Sequence, residues 1–270
     1  MRLEYIIANP TGNITALLLT PPAEPDQPRA AAALMELEPT VEQAGFLSLT
    51  DGGPVLRMAG GEFCGNATLC AAAAYAQARG LAVGEAVSMA VSVSGAPKPV
   101  AVEVEALPDG GFSGTADMPG QKSLGQRRFK LNGALNGAEY FLPYVEFPGI
   151  THIIAPDNMD KQRAEHAARE WCSELDAPAL GMMLFNEDRR CLKPLVYVPG
   201  VNTLFWESSC ASGTAAVGIW LSVRDGRARR LTISEPGGCL SIEADFHTGL
   251  LRLGGHVYLG ARKSADVLEN

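Results

Sequence analysis

Apolar positions along this chain follow two rhythms. Short alternating runs at residues 5–7, 14–19, 45–49 and 55–58 are broken by Gly, Pro and Asp, which predicts strands joined by turns. Residues 67–78 then form an Ala-rich stretch that is apolar on nearly every side. A helix without a polar face is a buried helix. Residues 87–93 and 99–104 return to strand character.

The second half repeats this order. Ile153 lies in a strand, residues 160–175 form an amphipathic helix, and residues 182–185 and 195–198 are strands. Residues 214–223 predict a second buried helix, and strands at 231–233, 239–244 and 250–253 follow. Thr15 to Thr151 is an offset of 136, and Gly45 to Gly181 is again 136. Cys64 to Cys210 is 146, so ten extra residues precede the second Cys, and residues 189–201 look like the longer hairpin that holds them. Equal offsets in the same order point to a duplicated unit. The expected fold class is mixed α/β (α+β): two pseudo-symmetric halves, residues 1–120 and 121–270, each a curled sheet around one buried helix with a cleft between them. The sequence leaves open whether the last strand crosses back to the first half.

Composition narrows the function. Hydrophobic residues make up 47% of the chain, enough for a packed core. A net charge of −8 argues against nucleic acid as a partner, because phosphate binding needs a basic face. No run of about 18 apolar residues occurs, so no membrane span is expected. The N-terminus reads as a strand and a turn rather than a leader, and a cytoplasmic location is expected. There, structural disulfides are disfavoured. The six cysteines contain no C-x-x-C pair and the four histidines show no ligand spacing, so no metal is expected.

Two of the cysteines carry the candidate chemistry. Cys64 lies in Glu62-Phe63-Cys64-Gly65-Asn66-Ala67-Thr68, and Cys210 in Glu207-Ser208-Ser209-Cys210-Ala211-Ser212-Gly213-Thr214. Each follows a Glu, precedes tiny residues, has a Thr four positions on, and leads into a buried helix. Helix starts offer unpaired N–H groups and partial positive charge. Two of them would cradle a carboxylate as it gains enediolate character, and would favour thiolate. One thiolate and one thiol on opposite faces of an amino-acid Cα would remove a proton and return one, with no organic cofactor. Cys70, Cys172, Cys191 and Cys239 lack this context and read as space-filling residues.

These motifs resemble those of the cofactor-independent racemases of the diaminopimelate epimerase type. Gly12-Asn13 looks like that family's substrate-contacting turn, Glu42-Gln43-Ala44-Gly45 its next block, and Cys64-Gly65-Asn66 and Cys210-Ala211-Ser212-Gly213 its two catalytic loops. Gly149-Ile150-Thr151-His152 lacks that family's Asn, and Val201-Asn202 stand where it has Glu-Arg. Without a guanidinium, a second substrate carboxylate loses its best partner. Longer strings resemble the histidine racemases of staphylopine-type (opine) metallophore pathways: Asn9-Pro10-Thr11-Gly12-Asn13-Ile14-Thr15, Gly181-Met182-Met183-Leu184-Phe185, Trp206-Glu207-Ser208-Ser209-Cys210 and Pro236-Gly237-Gly238. The resemblance implies interconversion of L- and D-histidine, D-histidine destined for an opine-type chelator, and a homodimer.

Around the catalytic pair, Asn13, Gln43, Gly65, Asn66, His152, Glu207, Ala211 and Ser212 are expected to contact substrate. Asn13 and Asn66 have an alternative as turn residues bonding their own backbone. His152 either binds substrate, orients a thiol or is a satisfied core residue. Glu207 holds the substrate ammonium or favours the following helix start. Phe205 and Trp206 read as core. The competing functions are diaminopimelate epimerase, a PhzF-like isomerase that does without paired thiols, and an amino-acid-binding or redox-sensing module.

Overall fold

The computed structural model describes residues 1–132 and 137–267. The chain divides into two compact units: residues 1–117 together with the chain from Leu253 onward, and Met118–Arg252.

The first unit holds strands β1 (Arg2–Pro10), β2 (Thr15–Leu18), β3 (Gln43–Thr50), β4 (Gly53–Met58), β5 (Ala86–Val93), β6 (Val100–Ala106) and β7 (Phe112–Asp117). Helix α1 (Gln27–Leu37) connects β2 to its parallel neighbour β3, and α2 (Gly65–Ala78) connects β4 to its parallel neighbour β5. The second unit holds β8 (Ser123–Lys130), β9 (Glu139–Phe147), β10 (Ile150–Pro156), β11 (Leu180–Asn186), β12 (Cys191–Val198), β13 (Thr203–Trp206), β14 (Arg229–Glu235) and β15 (Gly238–Asp245). Its helices are α3 (Lys161–Glu174) and α4 (Ala211–Asp225). The last strand, β16 (Leu250–Asp266), starts in the second unit and from Leu253 belongs to the first. There it lies beside β7 and pairs antiparallel with β1, closing the first unit's sheet into a barrel. Closure satisfies the backbone groups of both sheet edges.

Each unit wraps one apolar helix. In α2 Ala71, Ala72 and Ala73 are all fully buried, and in α4 Ala215, Ala216 and Val217 are too. Small side chains on every face let strands approach from all directions. The outer helices are one-sided instead. In α3 the buried residues Ala164, Ala167, Ala168, Trp171 and Cys172 fall on one stripe. Asp160 caps that helix by accepting the Arg163 N–H at 2.9 Å. Trp171 packs 4.9 Å from Phe129 and donates its Nε1–H to the Lys130 carbonyl. Among the described residues, no helix is long and apolar enough to cross a membrane.

The sequence reading missed α1 because four prolines crowd residues 21–28. Pro28 sits in the first turn of α1, where its missing N–H costs nothing. It also missed the β8–β9 pair. The ten extra residues lie later than residues 189–201: β13 folds back on β12, with Tyr197 opposite Leu204. Nor do both offsets of 136 hold. Gly45 lies opposite Leu17, whereas Gly181 lies opposite His152. Leu17 and His152 are 135 apart, and Thr15 and Thr151 sit on opposite faces of their sheets, since a shift of one residue flips a strand's side chains.

Candidate active site

Both cysteines are N-cap residues with nearly the same backbone. Cys64 has φ −133° and ψ 114° ahead of α2, and Cys210 has φ −130° and ψ 103° ahead of α4. Each sulfur accepts the N–H three residues on, from Ala67 and from Gly213, at 3.4 Å in both cases. Thiols thus do here what Ser or Asp usually does.

In the first unit the expected residues form one network. Gln43 donates Nε2–H to Asn13 Oδ1 at 2.7 Å and to Thr15 Oγ1 at 2.8 Å. Asn66 donates to the same Asn13 oxygen at 3.3 Å, and Asn13 donates to Glu42 at 2.7 Å. With its amide pinned this way, Gln43 turns Oε1 to the Cys64 sulfur at 3.2 Å. Asn13 and Asn66 are therefore more than turn residues bonding their own backbone. Gly65 and Asn66 are the buried first residues of α2. The Thr68 hydroxyl donates to the Cys64 carbonyl at 2.7 Å.

The segment leading to Cys64 is held by the end of β5. Ser94 donates its hydroxyl to the Glu62 carbonyl at 2.8 Å and accepts the Met58 N–H at 2.9 Å.

In the second unit Ala211 and Ser212 open α4, and Ser212 Oγ lies 2.9 Å from His152 Nε2 and 3.7 Å from Cys210 Sγ. His152 is fully buried on β10, and burial depresses its pKa to about 3, so the ring is neutral. Gly181 makes room for it: a Cβ there would stand 2.1 Å from His152 Nδ1. Gly181→Ala is expected to cost about 1–3 kcal/mol in urea unfolding and to expel the imidazole, by the usual penalty for overpacking.

A residue the sequence reading passed over holds the second loop. Glu235 is 6% exposed and accepts the Cys210 backbone N–H at 2.7 Å and the Thr214 hydroxyl. Next to it, the Gly237 N–H donates to the Ser208 carbonyl at 2.7 Å. Its signal was in the alternation of β14, which puts Glu235 on the buried face of Ile233. Burial raises the Glu235 pKa from 4.5 to about 8, against the pull of its two hydrogen bonds. The folded protein therefore keeps a proton that the unfolded chain loses between about pH 4.5 and 8, so this group's contribution to stability falls as pH rises through that window. Glu235→Gln removes that fall, and its stability measured by urea unfolding should gain on the wild type from pH 5 to pH 8.

Cys210 departs from the expected thiolate. Burial, then the charges of Glu207 and Glu235, push its thiol well above the ordinary value, while the Gly213 N–H and Ser212 pull it down. Of the other cysteines, Cys70 and Cys172 are buried, but Cys191 is half-buried and Cys239 exposed, so the last two do not fill a core. Phe205 is 63% exposed on the outlying strand β13 and is not core either. Among the described residues, no group of three or more His, Cys, Asp or Glu could hold a metal ion.

The fold is that of epimerases and their isomerase kin. A hydroxyproline epimerase from Agrobacterium vitis, solved with bound trans-4-hydroxy-L-proline, superposes with a TM-score of 0.70 at 10% identity, covering 98% of this chain and 92% of that one. A PhzF-family phenazine biosynthesis protein from Bacillus anthracis gives 0.68 at 11% identity, covering 99% and 100%. Fold alone does not separate these activities; sequence narrows them to one family. Residues 2–264 match the family described as the histidine racemase CntK N-terminal domain, and the chain belongs to that family of isomerases. It is 32% identical over 247 residues to a histidine racemase of Fusobacterium nucleatum, covering 88% of this chain and 87% of the relative. With a histidine racemase of Staphylococcus aureus it shares 28% over 252 residues, covering 89% and 88%.

Proposed function

We propose that this protein interconverts L- and D-histidine without an organic cofactor, with Cys64 and Cys210 working on opposite faces of the substrate Cα. The observation that carries this reading is the matched pair of thiol N-caps on two buried helices. The α-carboxylate would lie against the N–H groups that open α2 and α4, at Gly65, Asn66, Ala211 and Ser212. Those donors strengthen as the carboxylate becomes an enediolate. One sulfur takes the Cα proton while the other delivers its own to the far face.

Burial and the Glu207 carboxylate hold the Cys210 proton in place, which suits Cys210 to start as the donor. Cys64, whose thiol donates to the Gln43 carbonyl oxygen, starts as the base once that proton has passed to solvent and the hydrogen bond is broken. Glu207, whose charge acts on Cys210, would meet the substrate ammonium. The long strings shared with the opine-metallophore racemases support a role for the D-histidine in chelator synthesis. A cytoplasmic homodimer completes the reading, on the same resemblance.

Reduced protein incubated with L-histidine in D2O, without pyridoxal phosphate, should lose the Cα proton signal and optical rotation together. Neither change would leave a binding or sensing module. Reaction of diaminopimelate alone would retain the chemistry and overturn the substrate.

A further inference from the structure

Cys210 poses a problem for the two-thiol reading. In one direction of a two-thiol reaction it must become a thiolate, yet it is 6% exposed and lies near the Glu207 carboxylate and the side chain of Glu235. Something in the second unit has to favour the ionised sulfur.

Titratable side chains reach it from three elements among the described residues. The segment before α4 brings Glu207, β14 brings Glu235, and β10 brings His152. The strands β9, β11 and β15 turn Val145, Met183 and Ile242 toward α4, none of which titrates. Among the described residues, polar contacts of the sulfur include the Gly213 N–H at 3.4 Å and Ser212 Oγ at 3.7 Å. A serine hydroxyl can donate or accept, so its direction decides its effect.

His152 settles that direction. Its Nδ1 is buried, has no hydrogen-bond partner and faces the Cα of Gly181. A proton on Nδ1 would be a buried donor with no acceptor, the rarer and costlier defect. The proton therefore sits on Nε2, which donates to Ser212 Oγ at 2.9 Å. With one lone pair taken by His152, the Ser212 hydroxyl hydrogen is free to turn to the sulfur.

We infer that Ser212, oriented by His152, is a positioning residue that donates a hydrogen bond to the Cys210 sulfur and eases its ionisation. This deepens the two-thiol reading and rests on it for its catalytic meaning. It gives Ser212 and His152 work on the thiol rather than on the imidazole of the substrate. The same tautomer serves both states of the sulfur: a Cys210 thiol can donate to the second lone pair of Ser212, and a thiolate can accept from its hydroxyl. His152 neither gains nor loses a proton in the cycle.

The test reads the sulfur and not the reaction. In full-length protein carrying cysteine labelled with 13C at Cβ, the Cys210 signal is assigned by its loss in Cys210→Ser and followed against pH. Ser212→Ala should lower the thiolate fraction of Cys210 at a given pH by about tenfold or more, the effect of losing one hydrogen bond to a charged group. Ser212→Thr, which keeps the hydroxyl, should restore it. His152→Phe should move it in the same direction as Ser212→Ala, while the Cys172 signal stays put. An unchanged Cys210 titration in Ser212→Ala overturns the inference, whatever happens to turnover. Absence of histidine turnover in the wild type, with the Ser212 effect intact, overturns the racemase reading instead.

Discussion

Replacing either Cys64 or Cys210 by serine lowers histidine racemisation by about a thousandfold, within the range general acid–base groups contribute. Serine is a good choice because it is itself a strong N-cap residue. The Ala67 and Gly213 N–H groups that now bond sulfur keep an acceptor, so α2 and α4 retain their starts. What is lost is acidity: a hydroxyl in these settings neither ionises near neutral pH nor protonates a carbanion as a thiol does. The two variants should also differ in kind. With one thiol left, exchange of the Cα proton in D2O should persist for at most one enantiomer, and for opposite enantiomers in the two variants. Proton NMR on separate L- and D-histidine samples reads both rates. A single variant that racemises at the wild-type rate would show that its sulfur is not one of the two acid–base groups.

Gly95→Ala is expected to be the most damaging small substitution. Gly95 has φ +74°, and a Cβ there would stand 2.2 Å from the backbone N of Phe63 and 2.7 Å from the carbonyl carbon of Glu62. Those atoms belong to the segment that delivers Cys64, which Ser94 ties down from the same turn. Backbone cannot swing aside as a flexible side chain does, so the loop itself must move. Left-handed strain plus overlap should cost about 2–4 kcal/mol in urea unfolding. Racemisation should fall at least about tenfold further than the loss of folded protein accounts for, because a displacement of about 1 Å at a catalytic group has effects of that size or more. Gly80→Ala separates the two causes. Gly80 has φ +73° but nothing within 4 Å of the added Cβ, so it should cost only the backbone term, about 1–2 kcal/mol. Equal losses at the two sites would remove close approach as the explanation.

Much of the site was legible in residue order. Tiny residues after Cys64 and Cys210, and apolar helices beyond them, are local signals, and both sulfurs do cap helices. Helix α3 was readable from its apolar stripe, and Asp160 from its position ahead of it. Helix α1 was not, because prolines that break most helices are harmless in a first turn. Glu235 was hidden differently. Its burial followed from alternation in β14, but its partners, Cys210 and Thr214, come from a segment some twenty residues earlier. Separation in sequence also concealed why Gly181 has no side chain: the imbalance is resolved only by a neighbouring strand that brings His152 against it.

Residue order by itself determined that Cys64 and Cys210 stand at the starts of two apolar helices, since capping and apolar periodicity act over a few residues. The protonation of those groups was decided only in the tertiary structure. Helix starts alone argue for a thiolate at Cys210, but packing removes water from it and brings Glu207 and Glu235 near. Desolvation depends on everything that surrounds an atom, and no local stretch of sequence carries that information.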